Sequence, residues 1–181
     1  LELLKKEGGH YNLKTRPDGQ EEIFRGETPV VIPQKGHFDY GMRIKHMDEA
    51  GIDTSIVSLT CPNVCWGKRE ISLKAAKDSN DAMAEAQVKH KDRLRWFTSL
   101  PWDFPQAAIS ELTRTCDKGA IGVIVMANVS GRSLTDPMFA RLGSNFAPVA
   151  RMLFMYFAAA VYALLATFVL HLLIRGTWIA A

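Results

Sequence analysis

The sequence predicts an α/β protein, a parallel sheet with crossover helices, followed by a hydrophobic C-terminal helix. Three observations carry this prediction. Apolar, β-branched runs of strand length begin near residues 54, 94 and 120. Each is separated from the next by a stretch of helical periodicity, the alternation that builds a parallel sheet. From Met152 to Ile174 the chain carries no Lys, Arg, Asp or Glu. At about 1.5 Å rise per residue such a run is long enough to cross roughly 30 Å of bilayer core.

Residues 1–38 read as an irregular segment. Gly8-Gly9, Arg16-Pro17-Asp18-Gly19 and Pro33-Gln34-Lys35-Gly36 are turn signals. Glu22–Gly26 could form a short hairpin arm, and Pro29–Pro33 is too short and Pro-bounded for a central strand. Regularity starts at Asp39, whose carboxylate can cap a helix. Tyr40, Ile44 and Met47 then fall on one apolar face, and Gly51 ends the helix. Thr54–Thr60 is the first strand. A helix over 71–90 follows, with Ala75, Ala76, Ala82, Met83 and Ala86 as a small-residue face. Leu94–Leu100 is the second strand. Asp103 is placed to cap a third helix, with Pro105 in its first turn and Ala108, Ile109, Leu112 and Cys116 as its buried stripe. Gly119 closes that helix, and Ala120–Met126 is a third strand.

Two architectures fit this order: an open doubly wound sheet, or part of a (β/α)8 barrel. A complete barrel takes about 250 residues, so the residues before the apolar run could form about half of one. No Gly-rich phosphate loop follows any strand, which argues against nucleotide binding. The net charge of +3 is spread without a basic arm, so no nucleic acid is expected as a partner. Cys61, Cys65 and Cys116 are an odd count, which points away from a disulfide framework and toward a reducing compartment. The chain begins LELLKKEGGHYN, with neither an initiator Met nor an apolar leader, and a missing upstream segment is expected.

The stretch Asp39-Tyr-Gly-Met-Arg43-Ile-Lys-His-Met47-Asp48-Glu-Ala-Gly51-Ile52-Asp53 resembles the segment D-x-x-x-R-x-x-x-M-D-x-x-G-[IV] of the amidohydrolase-related superfamily. The resemblance is to the branch of aminocarboxymuconate-semialdehyde decarboxylase. Asn80-Asp81, Arg93–Pro101, Gly119–Val125 and Leu134-Thr-Asp136-Pro137-Met-Phe139 agree with it in order and spacing. This resemblance selects the barrel, a partial (β/α)8 (TIM-type) barrel in this chain. It implies a metal-dependent decarboxylase, or a hydrolase, acting on a small aromatic or muconate-type carboxylic acid. It also implies a zinc ion held by an H-x-H pair, a further His and an Asp. No H-x-H pair occurs here: His10, His37, His46, His90 and His171 are isolated. The chain as written is therefore expected to be a fragment without metal ligands, and inactive.

Three positions remain as substrate-side candidates. Arg25 matches the family arginine that binds a substrate carboxylate; its alternative is a solvated loop arginine. Trp66 follows the first predicted strand, where it either walls a pocket or packs. Asn128 follows the third strand and is placed similarly. The expected organisation is an irregular segment at 1–38, a partial βα domain at 39–140, a linker at 141–151 and a transmembrane helix at 152–174. Tyr156, Tyr162, Trp178, Arg151 and Arg175 could flank such a span. The apolar run also reads as the product of a gene-model error, or as a buried helix of a larger assembly, which its length disfavours. With a genuine span the protein is single-pass in a membrane; without it, cytoplasmic. A rival function is a membrane-tethered, noncatalytic relative that binds a partner or a full-length paralogue, and a homo-oligomer is also open.

Overall fold

A computed structural model describes residues 1–139 apart from 8, 127, 134 and 138. The expected linker and transmembrane helix, His171 and Ala140 lie outside the described residues.

Residues 1–38 are not the irregular segment expected. They hold a short helix α1 (Glu2–Glu7) and the strands β1 (Tyr11–Thr15), β2 (Glu21–Arg25) and β3 (Thr28–Val31), an antiparallel sheet in the order β1-β2-β3. The turn residues seen in the sequence are the hairpin connections. Arg16 and Gln20 close the first of them, where Gly19 takes a φ of +82°. Pro29 is accommodated because β3 lies at the edge of this sheet, where an imino nitrogen costs little pairing. Leu4 and Ile23 are buried, so this region has its own small apolar contact surface.

Helix α2 (Tyr40–Glu49) begins as expected: Asp39 Oδ1 accepts a hydrogen bond from the Met42 N–H at 3.0 Å. Met47 is buried, and Tyr40 and Ile44 pack against the same core cluster. Gly51 ends the helix with a φ of +66°, the conformation that favours glycine after a helix. Arg93 fixes this end, donating to the Ile52 and Asp53 carbonyls at 3.1 and 2.7 Å and to Asp48 Oδ1 at 2.6 Å.

The strands β4 (Ser55–Val57), β5 (Leu94–Thr98) and β6 (Gly122–Val123) form a parallel sheet in sequential order. They are shorter than the sequence runs, although the ladder continues past β6 through Ile124 N–H to the Thr98 carbonyl at 2.9 Å. Gly122 is required by close approach, because a Cβ there would stand 2.8 Å from the Phe97 ring. The connecting helices are α3 (Arg69–Lys89) and α4 (Pro105–Asp117). On α3 the buried stripe runs through Ser72, Ala76, Asn80 and Met83, at the three- and four-residue steps of one helix face. Ala82 falls off that stripe and is exposed, while Ala84 is buried. Pro105 occupies the first turn of α4, but the capping position is Phe104 and no side chain caps this helix, so Asp103 does not play that part. Thr115 is buried, and Ile109 and Cys116 only partly so. The core between α2, α3 and the sheet is built from Met47, Val57, Met83, Leu94 and Trp96 with small alanines.

After β6 a tight hairpin joins β7 (Asn128–Val129) to β8 (Arg132–Ser133). Ser130 and Gly131 both have positive φ, 50° and 79°, as a two-residue hairpin turn of this hand requires.

Candidate functional site

The C-terminal ends of parallel strands are where loops of an α/β sheet gather functional groups. Here the loop after β4 is held by Asn63, which adopts a φ of +54°. Its Nδ2 donates to the Leu59 carbonyl at 3.0 Å, and its carbonyl accepts from the Trp66 indole N–H at 2.8 Å. Trp66 thereby spends its polar atom inside the loop and packs with Leu3, Leu59 and Cys65 around Val64, Ala75 and Ala76.

The β1–β3 sheet is docked onto this loop. Gly9 (φ +62°) approaches so closely that a Cβ would lie 2.3 Å from the Trp66 carbonyl oxygen. The Tyr11 hydroxyl meets Cys61 Sγ at 3.8 Å. Tyr11 pairs across the strands with Arg25, and that pair places Arg25 at the side of the loop. Arg25 is exposed, and no ion pair engages it among the described residues. Arg16, Arg93 and Arg114, by contrast, are all tied to carboxylates. Burial pushes the Tyr11 hydroxyl above its ordinary pKa, the bond to Cys61 adds to this, and the Arg25 charge pulls the other way. The Cys65 thiol is pushed up to about 11, chiefly by burial.

At the end of β5 a second arrangement fixes the backbone. Asn80 of α3 is fully buried. Its Nδ2 donates to the Ser99 carbonyl at 3.0 Å and to Glu111 Oε1 at 2.7 Å, and its Oδ1 accepts from the Ser99 N–H at 2.9 Å. Glu111 is in turn gripped by Arg114 through both oxygens, at 2.7 and 2.8 Å. Arg114 and Lys118 both bind Asp81 Oδ1 at 2.6 Å, and these bonds hold the Asp81 carboxyl below its ordinary value.

The fold therefore brings Arg25 and Trp66 onto two segments that meet at Tyr11 and Cys61. Asn128 stands on a different element, in β7 opposite Ser133. Two groups of the site are not apparent from the sequence. Tyr11 lay in a segment read as irregular; the alternation Tyr11-Asn-Leu13 opposite Ile23-Phe-Arg25, across the Pro17-Asp18-Gly19 turn, was the available signal. Asn80 belongs to the Asn80-Asp81 motif, but a buried amide in a helix gives no clue in sequence to the partner it will find. Among the described residues no group of three His, Cys, Asp or Glu side chains is placed to hold a metal ion. They do not by themselves fit a resident metal.

These features define a βαβ unit of parallel strands with an antiparallel sheet laid on the loop at a strand's C-terminal end. No family profile matches the sequence. A curated relative, gamma-resorcylate decarboxylase from Rhodococcus jostii (strain RHA1), is 41% identical over 86 residues, which is 46% of this chain and 26% of the relative. The structure is similar to that of 2,6-dihydroxybenzoate decarboxylase complexed with 2,6-dihydroxybenzoate, with a TM-score of 0.55 and 30% identity over 59% of this chain and 36% of that one. It is also similar to 5-carboxyvanillate decarboxylase from Novosphingobium aromaticivorans DSM 12444, complexed with manganese and a nitrobenzoic acid. There the TM-score is 0.58 and identity 27%, covering 60% of this chain and 32% of that one. Over the matched residues the chain is related to the decarboxylase branch of the amidohydrolase superfamily. The matched segment spans about a quarter of the curated relative's length. The metal in the solved relative is manganese, where the resemblance implied zinc.

Proposed function

We propose that this chain carries the N-terminal, substrate-side part of a (β/α)8 barrel belonging to a metal-dependent decarboxylase of hydroxylated benzoic acids. The observation that supports this best is the docking of the Arg25-bearing sheet on the loop at the C-terminal end of β4, through Tyr11 and Cys61. A guanidinium fork held there, with no carboxylate of the described residues competing for it, suits an incoming carboxylate. The relatives named for gamma-resorcylate and 2,6-dihydroxybenzoate support the substrate class.

Arg25 binds and orients the acid, and the Trp66 loop walls that side. The metal of the relatives would polarise substrate oxygen. This sequence offers no H-x-H pair to hold one, and its described residues assemble no ligand cluster. On this reading the chain by itself binds the acid without turning it over. The test is release of carbon dioxide from 2,6-dihydroxybenzoate by the purified chain, with manganese or zinc added. No turnover is expected, and measurable turnover abolished by a chelator would overturn the assignment of inactivity.

A further inference from the structure

We propose that Tyr11 is a second substrate-binding residue, reading a ring hydroxyl ortho to the carboxylate that Arg25 holds, with Cys61 at the rim of the same site. This rests on the reading of Arg25 as the carboxylate-binding residue. The ligand class is a salicylate-type acid, in which a carboxylate and a hydroxyl oxygen lie side by side on one edge of a ring.

The argument begins with register. Tyr11 and Arg25 are directly opposed across β1 and β2. Opposed residues of an antiparallel pair project from the same face, with Cβ atoms about 5 Å apart. A guanidinium and a phenol on one face are within reach of two oxygens of one small ligand, whereas residues one step along either strand would point away. The position is also fixed. The Tyr11 hydroxyl touches Cys61 Sγ at 3.8 Å, and the Gly26 N–H donates to the His10 carbonyl at 3.1 Å beside the pair. A weak sulfur partner leaves the phenol with hydrogen-bonding capacity to spare. Burial and the thiol contact both keep that phenol protonated, so it remains a neutral group able to donate or accept. Arg25 brings charge without an ion pair to break among the described residues.

Cys61 supplies the assay. It is exposed, while Cys65 is only partly accessible and Cys116 lies on α4. A ligand bridging Arg25 and Tyr11 covers Cys61 and slows its alkylation by iodoacetamide, followed thiol by thiol by mass spectrometry on the full chain. The reading is the acid concentration giving half-maximal protection, which is insensitive to a change in the intrinsic reactivity of the thiol. For the wild type, 2,6-dihydroxybenzoate is expected to protect Cys61 and not Cys116, and to do so at lower concentration than benzoate. Tyr11→Phe should raise the half-protecting concentration of 2,6-dihydroxybenzoate about fivefold, the worth of one neutral hydrogen bond, and leave that of benzoate unchanged. Arg25→Gln should weaken both acids, and Arg25→Lys should weaken both to a lesser extent.

The outcomes separate the two readings. If Tyr11→Phe shifts neither acid, or both equally, while Arg25→Gln weakens both, the Tyr11 proposal is overturned and the Arg25 reading stands. If neither acid protects Cys61 in the wild type, or Arg25→Gln changes nothing, both are overturned. Because protection needs binding and not turnover, the result does not depend on whether the chain is catalytically competent.

Discussion

Replacing Asn80 by alanine should remove a large part of the stability of the βα unit. The side chain is fully buried and satisfies both backbone groups of Ser99, itself fully buried, at 2.9 and 3.0 Å. Truncation leaves a buried N–H and a buried carbonyl without their partner. At about 1–3 kcal/mol for each orphaned group, the expected loss is about 2–6 kcal/mol. Against a typical domain stability of about 5–15 kcal/mol, that is enough to move an unfolding midpoint far down the denaturant axis. Urea unfolding followed by far-ultraviolet circular dichroism, with linear extrapolation, measures it. Asn80→Asp tests the cause, because it conserves volume. Its second oxygen would face the Ser99 carbonyl and Glu111, both acceptors, so near neutral pH it should cost at least as much as alanine. A loss below about 1 kcal/mol for alanine, with an unchanged denaturant slope, would refute the claim that Asn80 pins the end of β5.

Two further outcomes follow from the same geometry. Asp81 has a folded pKa below its ordinary value of 3.8, through its bonds to Lys118 and Arg114. Its contribution is therefore present above that value and lost as pH falls through and below it, so urea midpoints should decline over that interval and decline less in Asp81→Asn. Gly9→Ala places a methyl 2.3 Å from the Trp66 carbonyl at a φ of +62°. It should loosen the β1–β3 sheet from the loop after β4, read as faster alkylation of Cys65 with α3 helicity retained.

The parallel part of the fold was legible because each of its signals is local. A cap at Asp39, a glycine at Gly51 with positive φ, and an apolar stripe on α3 are set by neighbours a few residues away. The N-terminal sheet was less legible. Its strands alternate weakly, and only Ile23 among their residues is buried, the others being half-buried or exposed. Turn residues stood out in the sequence while the strands between them did not. The cap of α4 was misplaced by one residue, since Asp103 and Phe104 both precede Pro105 and only backbone geometry separates them. Arg25 was visible by its motif. What it pairs with was not, because the partner is chosen by the register of a 15-residue hairpin, from Tyr11 to Arg25.

The site divides its labour between two kinds of structure. Asn80, Glu111 and Arg114 fix the end of β5 from the helix side, with their polar atoms spent on one another and on Ser99. Tyr11 pairs with Arg25 across β1 and β2 and meets Cys61 where a second sheet is laid on a loop, and that sheet adds no strand to the parallel ladder. On the proposed reading, stability and recognition rest on separate contacts that share the βα unit as a frame. Perturbing the amide clamp should lower stability before it alters which acid is preferred. Exchanging Tyr11 should alter that preference with little effect on stability, since its ring remains and only a hydroxyl facing a sulfur is lost. A chain in which both changes lowered stability alike would show the two sheets to be one cooperative structure, with Tyr11 serving as a packing residue.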